Sequence, residues 1–189
     1  MSTHPPTFKK DPPLDTQEKS INPLNDTWGS GLITTITKEN WIIEKKNTFD
    51  NVNDMWKTIN YVFYKEIDGL HTLTYDPTQT NHFDVWFFRF PHEPHWDTIK
   101  KTTGVSTIYE LRVNGITASF AIRILLSLIG ETLSFSLHVI GIRIKPSKFG
   151  GDIRMWIADE FGINRIKKDV ELIWSEETDV KPNIIITSF

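Results

Sequence analysis

The 189 residues contain no cysteine. That removes thiolate nucleophiles, disulfides, iron-sulfur clusters and the common cysteine-based zinc sites. No apolar run approaches the ~20 residues that a bilayer span needs, and the N-terminal MSTHPPTFKK lacks the apolar stretch of a signal peptide. A secreted, disulfide-stapled or membrane-spanning protein is therefore not expected, and the cytoplasm is the expected location. A large excess of either charge is also lacking: at a net −3, bulk electrostatics will not hold the chain on nucleic acid, and any phosphate binding must come from a local patch. Catalytic signatures are missing. Gly150-Gly151 fits neither a P-loop nor a dinucleotide fingerprint, no Gly-x-Ser-x-Gly elbow occurs, and the acid pairs Asp159-Glu160 and Glu176-Glu177 are adjacent rather than converging. His92-Glu93-Pro94-His95 places its histidines three apart with a proline between them, whereas a metalloprotease helix needs them one turn apart on unbroken helix. No enzymatic activity, metal or cofactor is expected.

What the chain does have is aromatic side chains, with seven Trp and twelve Phe, several of the Trp in polar, loop-like surroundings. Residues 1–22 combine Pro5, Pro6, Pro12 and Pro13 with Lys, Asp, Thr and Ser and offer little to bury, so they read as a disordered tail before one domain over 23–189. Trp28 to Thr37 and Trp41 to Lys45 read as strands with a turn at 37–40. Asp50 or Asn51 can cap a helix to about Tyr64, in which Val52, Met55, Trp56, Ile59, Val62 and Phe63 fall at helical spacing. Lys65 to His82 is polar and reads as an extended surface insertion. Asp84 to Phe90 and Ser106 to Arg112 read as strands joined by a loop, Ser119 to Ile129 as a helix closed by Gly130, Asn164 to Trp174 as an amphipathic helix, and Asn183 to Thr187 as a last strand. Sequence-adjacent strands favour an antiparallel sheet with helices over one face, an α+β architecture.

Leu137 to Lys145 and Asp152 to Ile157 form a hairpin around the 146–151 turn. Strand alternation sets Ile140, Ile142 and Ile144 against Arg143 and Lys145, and Ile153 and Met155 against Asp152, Arg154 and Trp156. One face is core; the other presents cations beside a Trp, with Lys148 in the turn and a lone Asp to offset them. As a pattern this suits phosphate oxygens, and it equally describes an ordinary solvated face. Both longer helices carry two apolar stripes: Met55, Ile59 and Val62 against Val52 and Trp56 in the first, and Phe120, Ile124 and Leu128 against Ile122, Leu126 and Ile129 in the second. Covering a sheet needs one stripe, so the second is either deep core or a docking surface.

Taken together, these segments resemble the mRNA cap-binding proteins of the translation initiation factor 4E family. Asn22-Pro23-Leu24 followed by Trp28 resembles that family's His-Pro-Leu...Trp start to the first strand, and Trp28 and Trp41 are thirteen apart, as are the family's first conserved Trp and its first stacking Trp. Phe49-Asp50-Asn51-Val52-Asn53-Asp54-Met55-Trp56 resembles Phe-Asp-Thr-Val-Glu-Asp-Phe-Trp. Glu93-Pro94-His95-Trp96-Asp97 resembles Glu-Pro-Met-Trp-Glu, Leu125 to Glu131 resembles Leu-Leu-Cys-Leu-Ile-Gly-Glu, and Lys181-Pro182 to Ser188 resembles the final strand. The sequence departs from the pattern in the longer 65–82 connection, in two residues missing between Trp41 and Phe49, and in Thr103-Gly104-Val105-Ser106 replacing Gly-Gly-Arg-Trp.

The resemblance implies a curved antiparallel sheet with three helices on its convex face and a pocket on the concave side that takes the 7-methylguanosine 5′ cap of mRNA. By that likeness Trp41 and Trp96 would sandwich the cationic base, Asp97 would accept from the guanine edge and Trp156 would meet the methyl group. Arg143, Lys145, Lys148 and Arg154 would hold the triphosphate. On the helical side, Pro23, Val52, Trp56, Ile122, Arg123, Leu126 and Ile129 would receive a helix of an initiation factor 4G-type scaffold or a 4E-binding protein. Arg123 stands where the family usually has Glu, which implies a partner without a base opposite it. The implied protein is a monomer that recruits mRNA to the initiation machinery. A divergent repressor or interaction protein with no cap binding, or with binding of a hypermethylated cap, stays open beside it.

Overall fold

The computed structural model describes residues 22–35, 41–78, 83–147 and 150–189, with the side chains at 34, 35, 41, 46 and 71 outside that description. The tail expected from sequence over 1–22, except Asn22, and the expected 37–40 turn also lie outside the described residues.

Seven strands form one antiparallel sheet in the order β2-β1-β5-β7-β8-β6-β9: β1 Pro23–Thr35, β2 Trp41–Asn51, β5 Asp84–Arg89, β6 Tyr109–Ile116, β7 Val139–Lys145, β8 Gly151–Ile157 and β9 Asn183–Ser188. A separate hairpin pairs β3 Tyr64–Ile67 with β4 Leu70–Leu73. Four helices accompany the sheet: α1 Val52–Phe63, α2 Trp96–Thr103, α3 Ala118–Ile129 and α4 Glu160–Ser175. The architecture is α+β, with four helices where the resemblance implies three. The additional one, α2, is on the opposite face.

The helices start where short polar side chains can satisfy free N–H groups. Asn51 accepts from the Asp54 N–H at 2.9 Å while its amide donates to the Asp54 carboxylate at 2.9 Å. Thr117 caps α3 through the Phe120 N–H, and Asp159 caps α4 through the Phe161 N–H. From these caps α1 buries Met55, Ile59 and Phe63, and α4 buries Ile163, Ile166 and Val170, one stripe each. These residues join Val85, Phe87, Met155 and Ile157 in the larger core. Helix α3 buries its first stripe and two residues of its second, so Ile122 at 7% exposure and Ile129 at 3% belong to that core rather than to a free surface, while Leu126 is half-buried.

The sheet is buried on its other face too. Trp86, Phe88 and Trp156 alternate with the helix-facing residues of their strands and pack with Ile99 of α2 and with Ile33, Ile108 and Ile140. Ile140 is a correction to simple alternation: the register slips between Val139 and Gly141, which puts Ile140 on the face opposite Ile142 and Ile144.

The 64–78 connection is not a structureless insertion. Asp68 and Gly69 adopt φ of 52° and 75°, the left-handed pair that closes a two-residue hairpin, and beyond it Tyr75 is buried with its ring 5.0 Å from that of Phe63. The segment between β5 and β6, read from sequence as a loop, contains α2. That helix is bracketed by Pro94 and by Gly104, whose φ of 71° makes it a left-handed cap, and it buries only Ile99, too little for periodicity to register.

Gly141 allows the second core to close. A Cβ there would lie 2.2 Å from the Phe88 ring, and that ring is fully buried. Gly141→Ala is therefore expected to cost about 3 kcal/mol, read as a lower urea midpoint at unchanged slope. A cost under ~1 kcal/mol would show that the ring can move aside.

Candidate functional site

The helix-poor face of the sheet carries two cross-strand rows. Register aligns Arg112 (β6), Arg154 (β8), Arg143 (β7), Trp86 (β5), Gly31 (β1) and Lys45 (β2), and beside them Glu110, Trp156, Gly141, Phe88 and Gly29. The aromatics lie down on the glycines. A Cβ at Gly31 would stand 2.7 Å from the Trp86 ring, again closer than a real Cβ can come. A continuous run of rings follows: Trp86 meets Phe88 edge-on at 6.1 Å and Phe88 meets Trp156 edge-on at 5.2 Å. Trp96 then stacks on Trp156 at 4.8 Å and 25°, and Phe189 stacks on Trp96 at 4.3 Å and 20°.

Of the base-site residues expected from sequence, the structure brings Trp96 and Trp156 into contact. Trp156 is 1% exposed, covered by Trp96, and its Nε1 donates to the Glu110 carboxyl at 3.1 Å. Asp97 is exposed in the first turn of α2, where the helix dipole favours an acid. Trp41 opens β2 opposite Thr35; its side chain, like the whole of Lys148, lies outside the described residues.

The cations are not the open positive patch that alternation implied. Arg143 is buried at 4% exposure and donates through Nε, at 3.1 Å, and Nη2 to Asp84 of β5. Arg154 makes a two-pronged contact with Asp152 at 3.0 and 3.2 Å, and Arg112 reaches the same carboxylate at 2.6 Å. Asp152 is itself buried. Counting Lys145, which is partly exposed, four cations face the three acids Asp84, Glu110 and Asp152 rather than one. Asp84 and Glu110 were legible: each precedes an inward-facing Trp or Arg by two positions in its strand. Phe189, whose contact is made across the fold, carries no such local signal. Nearby, burial and the Asp84 and Asp152 carboxylates push the Tyr75 phenol well above its ordinary range, so it stays neutral. Among the described residues no group of three or more His, Asp or Glu converges as a metal site, and no helix is long and apolar enough to cross a membrane.

On the helix-bearing face, Pro23 is exposed, Trp56 is 41% exposed, and Val52 and Leu126 are half-buried. Ile122 and Ile129 are core. Arg123 is not left for a partner's acid. It pairs with Glu176 and, at 3.4 Å, with Glu177 just beyond α4, so Glu in its place would face two acids of its own chain.

No protein-family model matches the sequence, and no curated protein does. Solved structures do match. A schistosome eIF4E in complex with m7GpppA and 4E-BP superposes with a TM-score of 0.65 at 19% identity, over 88% of this chain and 88% of that one. The chain has the eIF4E fold. C. elegans eIF4E-3, in complex with the 4E-binding protein Mextli and a cap analog, matches at TM-score 0.63 and 17% identity over 87% of this chain and 91% of that one. Ascaris suum eIF4E-3 with an m2,2,7G cap matches at 0.63 and 18% over 87% and 89%.

The Asp84-Arg143 pair gives a direct check on the electrostatics. Asp84→Ala leaves a guanidinium buried without its carboxylate and is expected to cost about 3–5 kcal/mol, whereas Asp84→Leu combined with Arg143→Leu should recover most of that loss in chemical denaturation. A single variant that costs under ~1 kcal/mol would mean Arg143 reaches solvent.

Proposed function

We propose that the protein binds the 7-methylguanosine 5′ cap of mRNA without catalysing a reaction, and presents it to the translation initiation machinery through its helix-bearing face. The observation that carries this reading is the Trp96-Asp97 pair at the start of α2, an indole stacked over the sheet face that bears Arg143, Lys145 and Arg154. Methylation makes the guanine ring cationic, and a cation over an indole gains attraction that a neutral base lacks. Asp97, exposed beside the indole and one methylene shorter than the family's Glu, accepts from the guanine edge. Lys145 and Arg154 face the phosphates, Arg154 held in orientation by Asp152; Arg143, tied to Asp84, sets the row in place more than it contacts phosphate. The role of Trp41 as second indole, and that of Lys148, rest on the resemblance. Support comes from the matched structures, which are complexes with cap compounds and, in two of the three, with a 4E-binding protein.

A partner helix on the other face would use Trp56 as its anchor with Pro23, Val52 and Leu126 around it. The partner would be a 4G-type scaffold or a 4E-binding protein, and the chain would act as a cytoplasmic monomer. Two observations favour a second reading, an interaction protein with altered or no cap binding: the three arginines of the face are tied to acids of the same chain, and both faces of Trp96 are covered by its own rings.

Titration of 7-methyl-GTP against GTP, followed by Trp fluorescence, separates the two. The first reading expects quenching and affinity for the methylated nucleotide at least about 10-fold higher, with Trp96→Ala losing detectable binding. Equal affinities would sink the indole site, and no binding of either nucleotide would favour the second reading. For the helical face, Trp56→Ala is expected to weaken a 4E-binding-protein peptide by ~2 kcal/mol or more while thermal stability and cap affinity hold, since the ring is partly exposed. An unfolded variant, or one that binds the peptide normally, would remove Trp56 from that surface.

A further inference from the structure

Trp96 is enclosed on both sides, by Trp156 at 4.8 Å and by Phe189 at 4.3 Å, each ring within 25° of parallel. No planar ligand can reach either face of the indole while both rings stay.

The two covers are unequal. Trp156 is 1% exposed, its Nε1 is bonded to Glu110, and its ring meets Phe88 edge-on; displacing it would leave a buried carboxyl unpaired and open the second core. Phe189 is 41% exposed and directly follows β9, the edge strand of the sheet, in which every residue except Ile184 is exposed. What holds it to the sheet is a main-chain pair with Ile108: the Phe189 N–H donates at 2.9 Å and the Phe189 carbonyl accepts at 3.3 Å. Backbone pairs at an exposed edge with little apolar burial belong to the part of a structure that opens most readily.

We propose that Phe189 occupies the place of the base on Trp96 and is exchanged for it on binding. The inference rests on the cap-binding reading above and adds to it a residue that sets affinity. The base stacks on the face that Phe189 vacates, with Trp156 remaining behind the indole as its support instead of meeting the methyl group. The closed form binds no base, so it lowers the apparent affinity of every base ligand by the closed-to-open ratio, the same factor for a methylated as for an unmethylated one. Phe189 thus governs how tightly the site binds, while the cation-indole attraction governs which base it prefers.

The test uses the full chain with Phe189→Ala and Phe189→Leu, the latter keeping apolar bulk at the strand end but no flat ring. Both variants are expected to bind 7-methyl-GTP and GTP about 3- to 10-fold more tightly than wild type, the range set by the strength of an aromatic pair, with the ratio of the two affinities unchanged. Unchanged affinity would overturn the proposal. So would weaker binding of 7-methyl-GTP, which would make Phe189 a second wall of the base site. Acrylamide quenching supplies a readout that needs no ligand: Phe189→Ala should raise Trp accessibility in the wild-type background and not in Trp96→Phe. If neither nucleotide binds any variant while this rise is seen, the cap reading fails and Phe189 is still the cover of Trp96; without the rise, the cover itself is refuted.

Discussion

Flat rings laid on bare backbone hold the second face of this sheet together. Trp86 over Gly31 and Phe88 over Gly141 approach to distances that no Cβ would permit, and this lets two large side chains sit fully buried on a face that has one short helix to cover it. The consequence spreads outward. With Trp86 and Phe88 lying flat, Trp156 packs against Phe88, Trp96 packs on Trp156, and α2 gains a fixed seat by burying Ile99 in the same cluster. β5 is buried on both sides, its odd-numbered Val85 and Phe87 facing three helices and its even-numbered Trp86 and Phe88 facing the second core.

Burial on that face also dictates its electrostatics. A guanidinium removed from water must have a carboxylate; Asp84 holds Arg143 and Asp152 is shared by Arg154 and Arg112, so the row of arginines is a largely paired scaffold rather than a field of free charge. What stays accessible there is a partly exposed Lys145 and the exposed Asp97, beside guanidinium groups held in fixed orientations. The helical face follows the same economy, with Arg123 satisfied by Glu176 and Glu177.

The eIF4E fold is thus carried by a chain whose identity to the solved examples is 17–19%, because the fold requires alternation, caps and small residues under rings rather than particular side chains. Its aromatic site is self-stacked. An indole whose two faces are both occupied is fixed in position and closed to a further flat ring.

Local chemistry in the sequence determined a good deal: the Asn51 cap and the spacing of Met55, Ile59 and Phe63 define α1, Gly130 ends α3, and period-two alternation places Arg143, Arg154 and Trp156 on one face of the hairpin. The Asp68-Gly69 turn is also a local signal, but the reading of 65–82 as a polar insertion passed over it. Tertiary structure decided the rest, for reasons that act at a distance. A register slip moved Ile140 to the other face, which no local pattern records. The packing of α3 turned Ile122 and Ile129 from a second stripe into core, since an apolar face is the same in sequence whether a partner or its own chain covers it. Asp84 reached Arg143 from 59 residues away and Phe189 reached Trp96 from the far edge of the sheet, and pairings made across strands are fixed by sheet order, which sequence spacing does not encode.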